Sequence, residues 1–447
     1  MSLLDIMYSR CLIPYVFSQM EKVPFQLDPE RVTEVYQSTI QRKEELTRKL
    51  YTITGGINLN SGKQLGEYLY NVLGFTCSTR TATGAPATDA DTIKALVCTS
   101  EEQREFLALY TEYNECSSLL SKCLNLFYGV IDEADGKLPI ETRQCTTRTH
   151  RFSSTGVPFK HSTWKKPKRQ QGQNIPRELK KLFKSHIPGW LVAECDGSQL
   201  EFRTAVGASQ DPIGMREIET YVDVHALTAE VYKCSRQDAK PRTFKPMYGG
   251  TSGSTLDKKY AKAFTEKYKV LNAMQEGWVR EVLLSPTNTL KLPWGMQYQF
   301  PGTSVNKWGY CNNRRDIFNY PIQGLATGEI IPIAMVLMQR KLPDGIVVVG
   351  QIHDSIKCLV RPDMVDYWRE LSLWAMTKGA RQFLKDVYGY DLNVQLGIGA
   401  KVSTHWADTK DERSLEYTTD GRWVEVVKEN GVKVGIPYTF QYPEIDQ

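Results

Sequence analysis

The sequence predicts an α+β fold, with strands gathered into an antiparallel sheet and long helices in separate stretches of the chain. Three observations predict it. Residues 190–195 (W-L-V-A-E-C) form an apolar run with the length and bounds of a buried strand. Residues 345–360 hold two β-branched runs around His353, Asp354 and Ser355, a hairpin pattern with an acid at its tip. Residues 28–51 and 100–124 instead repeat apolar residues at helical spacing.

Asp28 and Pro29 open the first long helix, with a cap and a proline at the first helical position, and Val32, Val35, Tyr36, Leu46 and Leu50 supply its stripe. Its partner starts at Ser100-Glu-Glu-Gln103, a capping-box pattern, and carries Phe106, Leu107, Tyr110, Tyr113, Leu120 and Leu124. Asp196 follows the 190–195 strand and stands at its end. Ser198 is placed to cap the next helix, so that Glu201 and Phe202 face back over the strand tip.

Arg236, Lys240, Phe244 and Tyr248 recur at every fourth residue. On a helix that spacing drifts by only about 40° per step, so the four share a face. Two cations and two aromatics on one face suit a nucleoside triphosphate, the cations on its phosphates and the aromatics beside sugar and base. Pro241 and Pro246 lie inside the same helix, each removing a backbone donor at about 3 kcal/mol, which predicts a kinked or divided helix. Residues 330–338 read as an apolar helix behind the sheet and 394–399 as a further strand. Residues 423–427 and 432–436 form a hairpin about Asn430-Gly431.

A chain of 447 residues exceeds the usual single-core size and predicts two or three lobes. No apolar run approaches the roughly 20 residues that span a bilayer, and the N-terminus lacks a basic region before an apolar core. The expectation is a soluble, cytoplasmic protein, not secreted and with no membrane partner. Ten cysteines without a Cys-x-x-Cys pair or His/Cys cluster predict reduced thiols and no structural zinc. Net charge is only +5, but residues 142–177 contain no Asp or Glu and include Lys165, Lys166 and seven other Lys or Arg. Phe152, Phe159, His161 and Trp164 interleave with them, a pattern that favours a polyanion surface.

If the strands bearing Asp196 and Asp354 pair in one sheet, their carboxylates meet and repel. Cations must then join them. Two Mg²⁺ ions about 3.5–4 Å apart are the usual answer where in-line phosphoryl displacement is catalysed, with Mn²⁺ as a substitute.

Residues 196–203 (D-G-S-Q-L-E-F-R), 236–249 (R-Q-D-A-K-P-R-T-F-K-P-M-Y-G) and 352–355 (I-H-D-S) resemble the three motifs of family A DNA polymerases, the bacterial DNA polymerase I family, in a phage-like form limited to the polymerase domain. The motifs occur in the family's order, and the resemblance runs from about residue 10 to about residue 406. It implies a right-hand polymerase fold with an antiparallel-sheet palm, helical fingers and a helical thumb. Residues 1–137 would be thumb and 138–204 the first part of the palm, with a basic insert at 155–171. Fingers would span 205–330 and the second part of the palm 331–410, with 411–447 a C-terminal extension beyond the resemblance.

The implied reaction is template-directed addition of dNTPs to a primer 3′-hydroxyl. By resemblance Asp196 and Asp354 hold both metals, Arg236 and Lys240 bind the triphosphate, and Lys240 donates a proton to the leaving pyrophosphate. Phe244, Tyr248 and Gln199 border the nucleotide, and Glu201 lies below the sugar and blocks a 2′-hydroxyl. Ser61 and Lys63, in a run matching N-L-S-S-x-K-Q-L, would touch DNA phosphates, as would Lys165 and Lys166 of the insert. Arg151 would reach the minor groove near the primer end, Asn174 belongs to a Q-N-I-P match, Arg315, Asn319 and Gln323 would contact template and primer, and His353 would orient the primer end.

Several positions depart from the family pattern. Gly197 replaces a bulky residue, Ser355 replaces a Glu, His150 stands where the family has Gly, and Phe244 where some relatives have Tyr, which implies poor use of dideoxynucleotides. No exonuclease is expected within this sequence, so a separate exonuclease, a helicase or a processivity factor would be its partners alongside primer-template DNA and dNTPs. Two rivals are a single-subunit RNA polymerase and a non-catalytic primer-template binding protein.

Overall fold

The computed structural model describes residues 3–138, 140–408 and 411–446. Position 139 and positions 409–410, beside two of the expected domain boundaries, lie outside the described residues. Contacts divide the chain into two units, Met1–Gln26, Pro139–Val157 and Gln171–Gln447 as the first, and Leu27–Leu138 with Pro158–Gln170 as the second. In this grouping residues 1–26 fall with the first unit and residues 158–170 with the second.

The first unit is built on a seven-stranded antiparallel sheet. Its strands are β1 (Leu191–Gly197), β2 (Ile346–Ile352), β3 (Ser355–Val360), β4 (Leu396–Ser403), β5 (Asp411–Tyr417), β6 (Trp423–Glu429) and β7 (Val432–Pro437), in the order β7-β6-β5-β4-β1-β3-β2. Ala193, Cys195, Ile356, Cys358, Ile398 and Ala400 are fully buried on one face. The other face, which alternation assigns to Glu194, Asp196, Lys357 and Lys401, is polar.

Behind the buried face runs a continuous helix, Arg314–Lys341, whose middle turn widens to a π-helix at Gly324–Ile330. It is long and apolar enough by composition to cross a membrane, but 89% of its most apolar window is buried inside the protein, so it is the central core helix. Within it Glu329 is completely buried and accepts hydrogen bonds from Arg10 and, at 2.7 Å, from the Tyr388 hydroxyl. That buried acceptor fixes the N-terminal helix Leu3–Met20 to the core.

The stretch expected to be wholly helical between residues 205 and 330 also contains a short hairpin, Thr289–Lys291 with Gln297–Gln299. Trp294 at its turn is 1% exposed. An indole so buried supplies core area that a five-residue connection with no alternating pattern does not advertise.

In the second unit the helices Pro29–Thr54 and Glu101–Leu119 pair, capped by Asp28 and by the Ser100–Gln103 capping box. Leu46, Leu50, Phe106 and Tyr110 form their common core, and Arg42 bridges to Glu112 at 2.6 Å. The basic segment 158–170 belongs to this unit. Its Trp164 ring lies against the helix Asn125–Ala134 at Gly129, where a Cβ would come within 2.5 Å of the indole, so only glycine admits the contact. Lys168 sits 4.4 Å from the Trp164 ring centre, while Lys165 and Lys166 are exposed.

Candidate active site

Asp196 and Asp354 meet because β1 and β3 pair. Ser355 lies directly opposite Asp196 in the register, and the Gly197 N–H donates to the Asp354 carbonyl at 3.1 Å. Asp354 sits in the two-residue turn between β2 and β3, where His353 adopts a left-handed φ of 56°. Gln173 holds that turn, accepting from the His353 N–H at 2.7 Å and donating to the Gln351 carbonyl at 2.9 Å. Burial first, and the neighbouring Asp354 charge next, push the Asp196 carboxyl up to about 7. Two carboxyl groups in this relation could hold a divalent cation, which takes oxygen ligands.

The third acid of the family pattern is absent, and Ser355 is instead buried, donating to the Ile352 carbonyl at 2.8 Å. Below it Lys357, 2% exposed, donates to Ser355 at 2.8 Å and pairs with Glu194. Burial alone would raise the Glu194 carboxyl, but Lys357 brings it down to about 2. At position 197 any side chain would crowd Leu200 at 3.0 Å, so glycine fits the tight exit from β1.

A cavity of about 860 Å³ opens over this pair within the first unit. Arg236, Lys240, Phe244 and Tyr248 line it together, as the fourfold spacing requires. They stand on and just after one helix, Arg236–Met247, that runs unbroken through both prolines, so the expected division does not occur. The reason is where the lost bonds fall. Pro241 and Pro246 cannot donate to the carbonyls of Gln237 and Arg242, and both of those residues are exposed, where water can stand in for a helical partner. Ser235 caps the helix by accepting from the Asp238 N–H at 3.1 Å, and the buried Thr243 bonds Thr228 of the neighbouring helix at 2.7 Å.

Glu201 also lines the cavity and is held from two sides, by the Tyr248 hydroxyl and by Arg151 at 3.8 Å. Burial raises the Tyr248 hydroxyl well above its ordinary value, and Glu201 adds to the effect, so the tyrosine remains a donor. Gln199, not Ser198, occupies the cap position before Leu200, with a left-handed φ of 49°. The Ser198 N–H is bonded to Gly397 at 2.9 Å, which holds it to the sheet and passes the turn to Gln199. Gln199 in turn accepts from the Val224 N–H at 3.3 Å.

Asn319, Gln323, His353 and Arg151 complete the expected set around the cavity. The Asn319 side-chain oxygen Oδ1 is buried without a hydrogen bond among the described residues. His150 has a φ of 59°, the conformation that glycine adopts freely, which accounts for glycine at that place in the family pattern. Arg315 and Asn174 do not line the cavity; Arg315 reaches Ser252 at 3.4 Å and Asn174 bonds Gln171 at 2.6 Å. Ser61, Lys63, Lys165 and Lys166 belong to the second unit, where Ser61 caps the helix Gly62–Glu67.

Sequence reasoning missed Asp223 and His225, which line the cavity beside Arg236. Asp223 caps the helix Val224–Tyr232 and accepts from Arg236 at 2.7 Å. His225 is 1% exposed, has no hydrogen bond on either ring nitrogen among the described residues and lies 5.2 Å from the Phe244 ring. Burial first, and Arg236 next, lower it to about 4. The one available signal was the cap pattern at Asp223, which marks a helix start and not a ligand. Lys401, Glu412, Ser414, Lys428 and Lys433 of the sheet also line the cavity and carried no motif.

The profile of the family described as DNA polymerase family A matches residues 29–408. The thermostable DNA polymerase I of Thermus filiformis is 25% identical over 417 residues, covering 89% of this chain and 47% of that protein. DNA polymerase I of Bacillus subtilis is 27% identical over 378 residues, covering 76% of this chain and 40% of that protein. The chain thus spans less than half the length of these curated relatives. Among solved structures, the POL domain of Pol1 from M. smegmatis, in complex with DNA primer-template and dNTP, has the same fold. Its TM-score is 0.70 at 20% identity, over 90% of this chain and 70% of that one. With most of its length matched by the family profile and its three motifs gathered around one cavity, the chain belongs to DNA polymerase family A.

Proposed function

We propose that this chain extends a DNA primer on a template, joining the primer 3′-hydroxyl to the α-phosphate of a dNTP and releasing pyrophosphate. The observation that carries the reading is the meeting of Asp196 and Asp354 beneath the helix face of Arg236 and Lys240, in one cavity. Family A polymerases are metal-dependent. Asp196 and Asp354 would hold two Mg²⁺ ions, which Mn²⁺ could replace. When bound, the ions supply Lewis-acid stabilisation of the attacking and leaving oxygens.

The chain's own residues position and neutralise. Arg236 and Lys240 bind the triphosphate, and the Lys240 ammonium gives its proton to the departing pyrophosphate. Phe244 and Tyr248, stacked with centres 6.0 Å apart, border sugar and base. Glu201, held by Tyr248 and Arg151, fills the space a 2′-hydroxyl would need, so the selected substrate is a deoxynucleotide. Gln199 steadies the loop before Asp223, and Arg151, Asn319, Gln323 and His353 receive primer and template. Arg315 and Asn174, which do not line the cavity, are assigned to DNA, as are Ser61, Lys63, Lys165 and Lys166 of the second unit.

Primer extension with Mg²⁺ tests the assignment, wild type beside Asp354→Ala, with dNTPs and NTPs in parallel. Extension with dNTPs that is lost in the variant is expected. Preference for NTPs would make the chain an RNA polymerase, and a wild type that binds primer-template without extending it would leave only a binding protein.

A further inference from the structure

Residues 411–446 lie beyond the family match, yet β5, β6 and β7 continue the sheet that carries Asp196. The register sets their side chains on its face. Asp196 lies opposite Gly399, and Gly399 opposite Ser414. One row along, Glu194 lies opposite Lys357 and Lys401, and Lys401 opposite Glu412. Residues two apart on a strand share a face, and of these Asp196, Gly399 and Ser414 in the first row and Lys401 and Glu412 in the second line the cavity.

That second row alternates in charge from Lys357 to Glu412. Lys357 pairs with Glu194, and Lys401 with Glu412 at 3.6 Å. On β6 and β7 Lys428 and Lys433 stand directly opposite one another, and both line the cavity. Like charges so placed repel and weaken a strand pair. Lys428 has no carboxylate partner among the described residues, and Lys433 has only Asp223, at 3.4 Å, which Arg236 already engages at 2.7 Å. The hairpin is seated against the Asp223 loop, because Gly435 leaves room for the Tyr221 ring that any Cβ would strike.

Cations directly paired in a cavity ask for an anion between them. The link of Lys433 through Asp223 to Arg236 says which one. We infer that Lys428 and Lys433 are a second set of phosphate ligands beside Arg236 and Lys240, taking the β- and γ-phosphates of the incoming nucleotide and the pyrophosphate product. A lysine ammonium is a compact point charge suited to phosphate oxygens. The assignment rests on the nucleotide site proposed above and adds residues to it that the family match does not include. A DNA strand offers the same phosphate chemistry, and the experiment separates the two sources.

Binding of dTTP with Mg²⁺, and of pyrophosphate, to the complex with a dideoxy-terminated primer-template is measured by calorimetry at fixed ionic strength. Wild type is compared with the double variant Lys428→Gln/Lys433→Gln and with Lys428→Arg/Lys433→Arg. The Gln pair is expected to raise the Kd for dTTP and for pyrophosphate about tenfold, with primer-template Kd changed by less than about twofold. The Arg pair, which keeps both charges, is expected to bind all three as wild type does, and its normal behaviour shows that the positions tolerate substitution. Unchanged dTTP and pyrophosphate affinity in the Gln pair overturns the inference, and so does a loss confined to DNA, which would assign the lysines to a strand backbone. The readout is binding, so an enzyme that binds dTTP through these lysines but does not extend primers would sink the polymerase reading alone.

Discussion

Arg203 and Glu416 are joined by two hydrogen bonds of 2.7 Å, with side chains only 3% and 4% exposed. Arg203 ends the first motif, and Glu416 belongs to β5, outside the family match. Gln395 donates to the same carboxylate at 2.6 Å, so the acid is fully engaged. Removing one partner leaves a buried charge unpaired, at about 3–5 kcal/mol. Glu416→Ala is expected to lower the urea midpoint accordingly, and adding Arg203→Met to recover much of the loss. An unmoved midpoint would contradict this account of how the extension is attached.

A buried, unpartnered imidazole makes stability depend on pH. His225 is lowered to about 4 from an ordinary 6.5, chiefly by burial and secondarily by Arg236. Between those values the unfolded chain takes up a proton that the folded chain refuses. Its contribution is therefore complete above pH 6.5 and is lost as pH falls toward 4, by about 3 kcal/mol in all. Urea unfolding across that window should show the decline in wild type and a flatter course in His225→Gln.

Phe244 brings a ring but no hydroxyl to the cavity. A dideoxynucleotide lacks the 3′-hydroxyl that would otherwise supply a polar contact there. Phe244→Tyr is expected to improve dideoxynucleotide incorporation relative to dNTP by about tenfold, the worth of one well-made hydrogen bond. Competition between ddTTP and dTTP on a single-site template reads the ratio directly.

Pro241 withholds a hydrogen bond from an exposed turn of the helix Arg236–Met247. Pro241→Ala restores the donor, and the melting temperature should rise by the equivalent of about 1–3 kcal/mol. A fall would mean that the proline ring itself secures the helix.

Much of this was legible in the chain. Strand β1, the Asp354 hairpin and the two capped helices of the second unit each follow from a periodicity or a cap that acts locally, within a few residues. The spacing of Arg236, Lys240, Phe244 and Tyr248 gave the cavity wall for the same reason. What was not legible depends on partners distant in sequence. Nothing around Glu416 indicates that its carboxylate meets Arg203, and nothing in the Asn430-Gly431 hairpin indicates that it extends the sheet of Asp196. Of the kinked or divided helix expected at Pro241 and Pro246, the division does not occur, because the cost of an internal proline depends on whether the orphaned carbonyl reaches water, and that is a tertiary fact.

The place of β1 within the sheet has a kinetic consequence. Two strands flank it on one side and four on the other, so its amides exchange with solvent only when the whole sheet opens. The β6–β7 hairpin, at the rim, opens at far lower cost. Anchoring acids that stay still and outlying ammonium groups free to yield are thus built into one layer, and deuterium uptake should be slowest at Cys195 and fastest along residues 430–437.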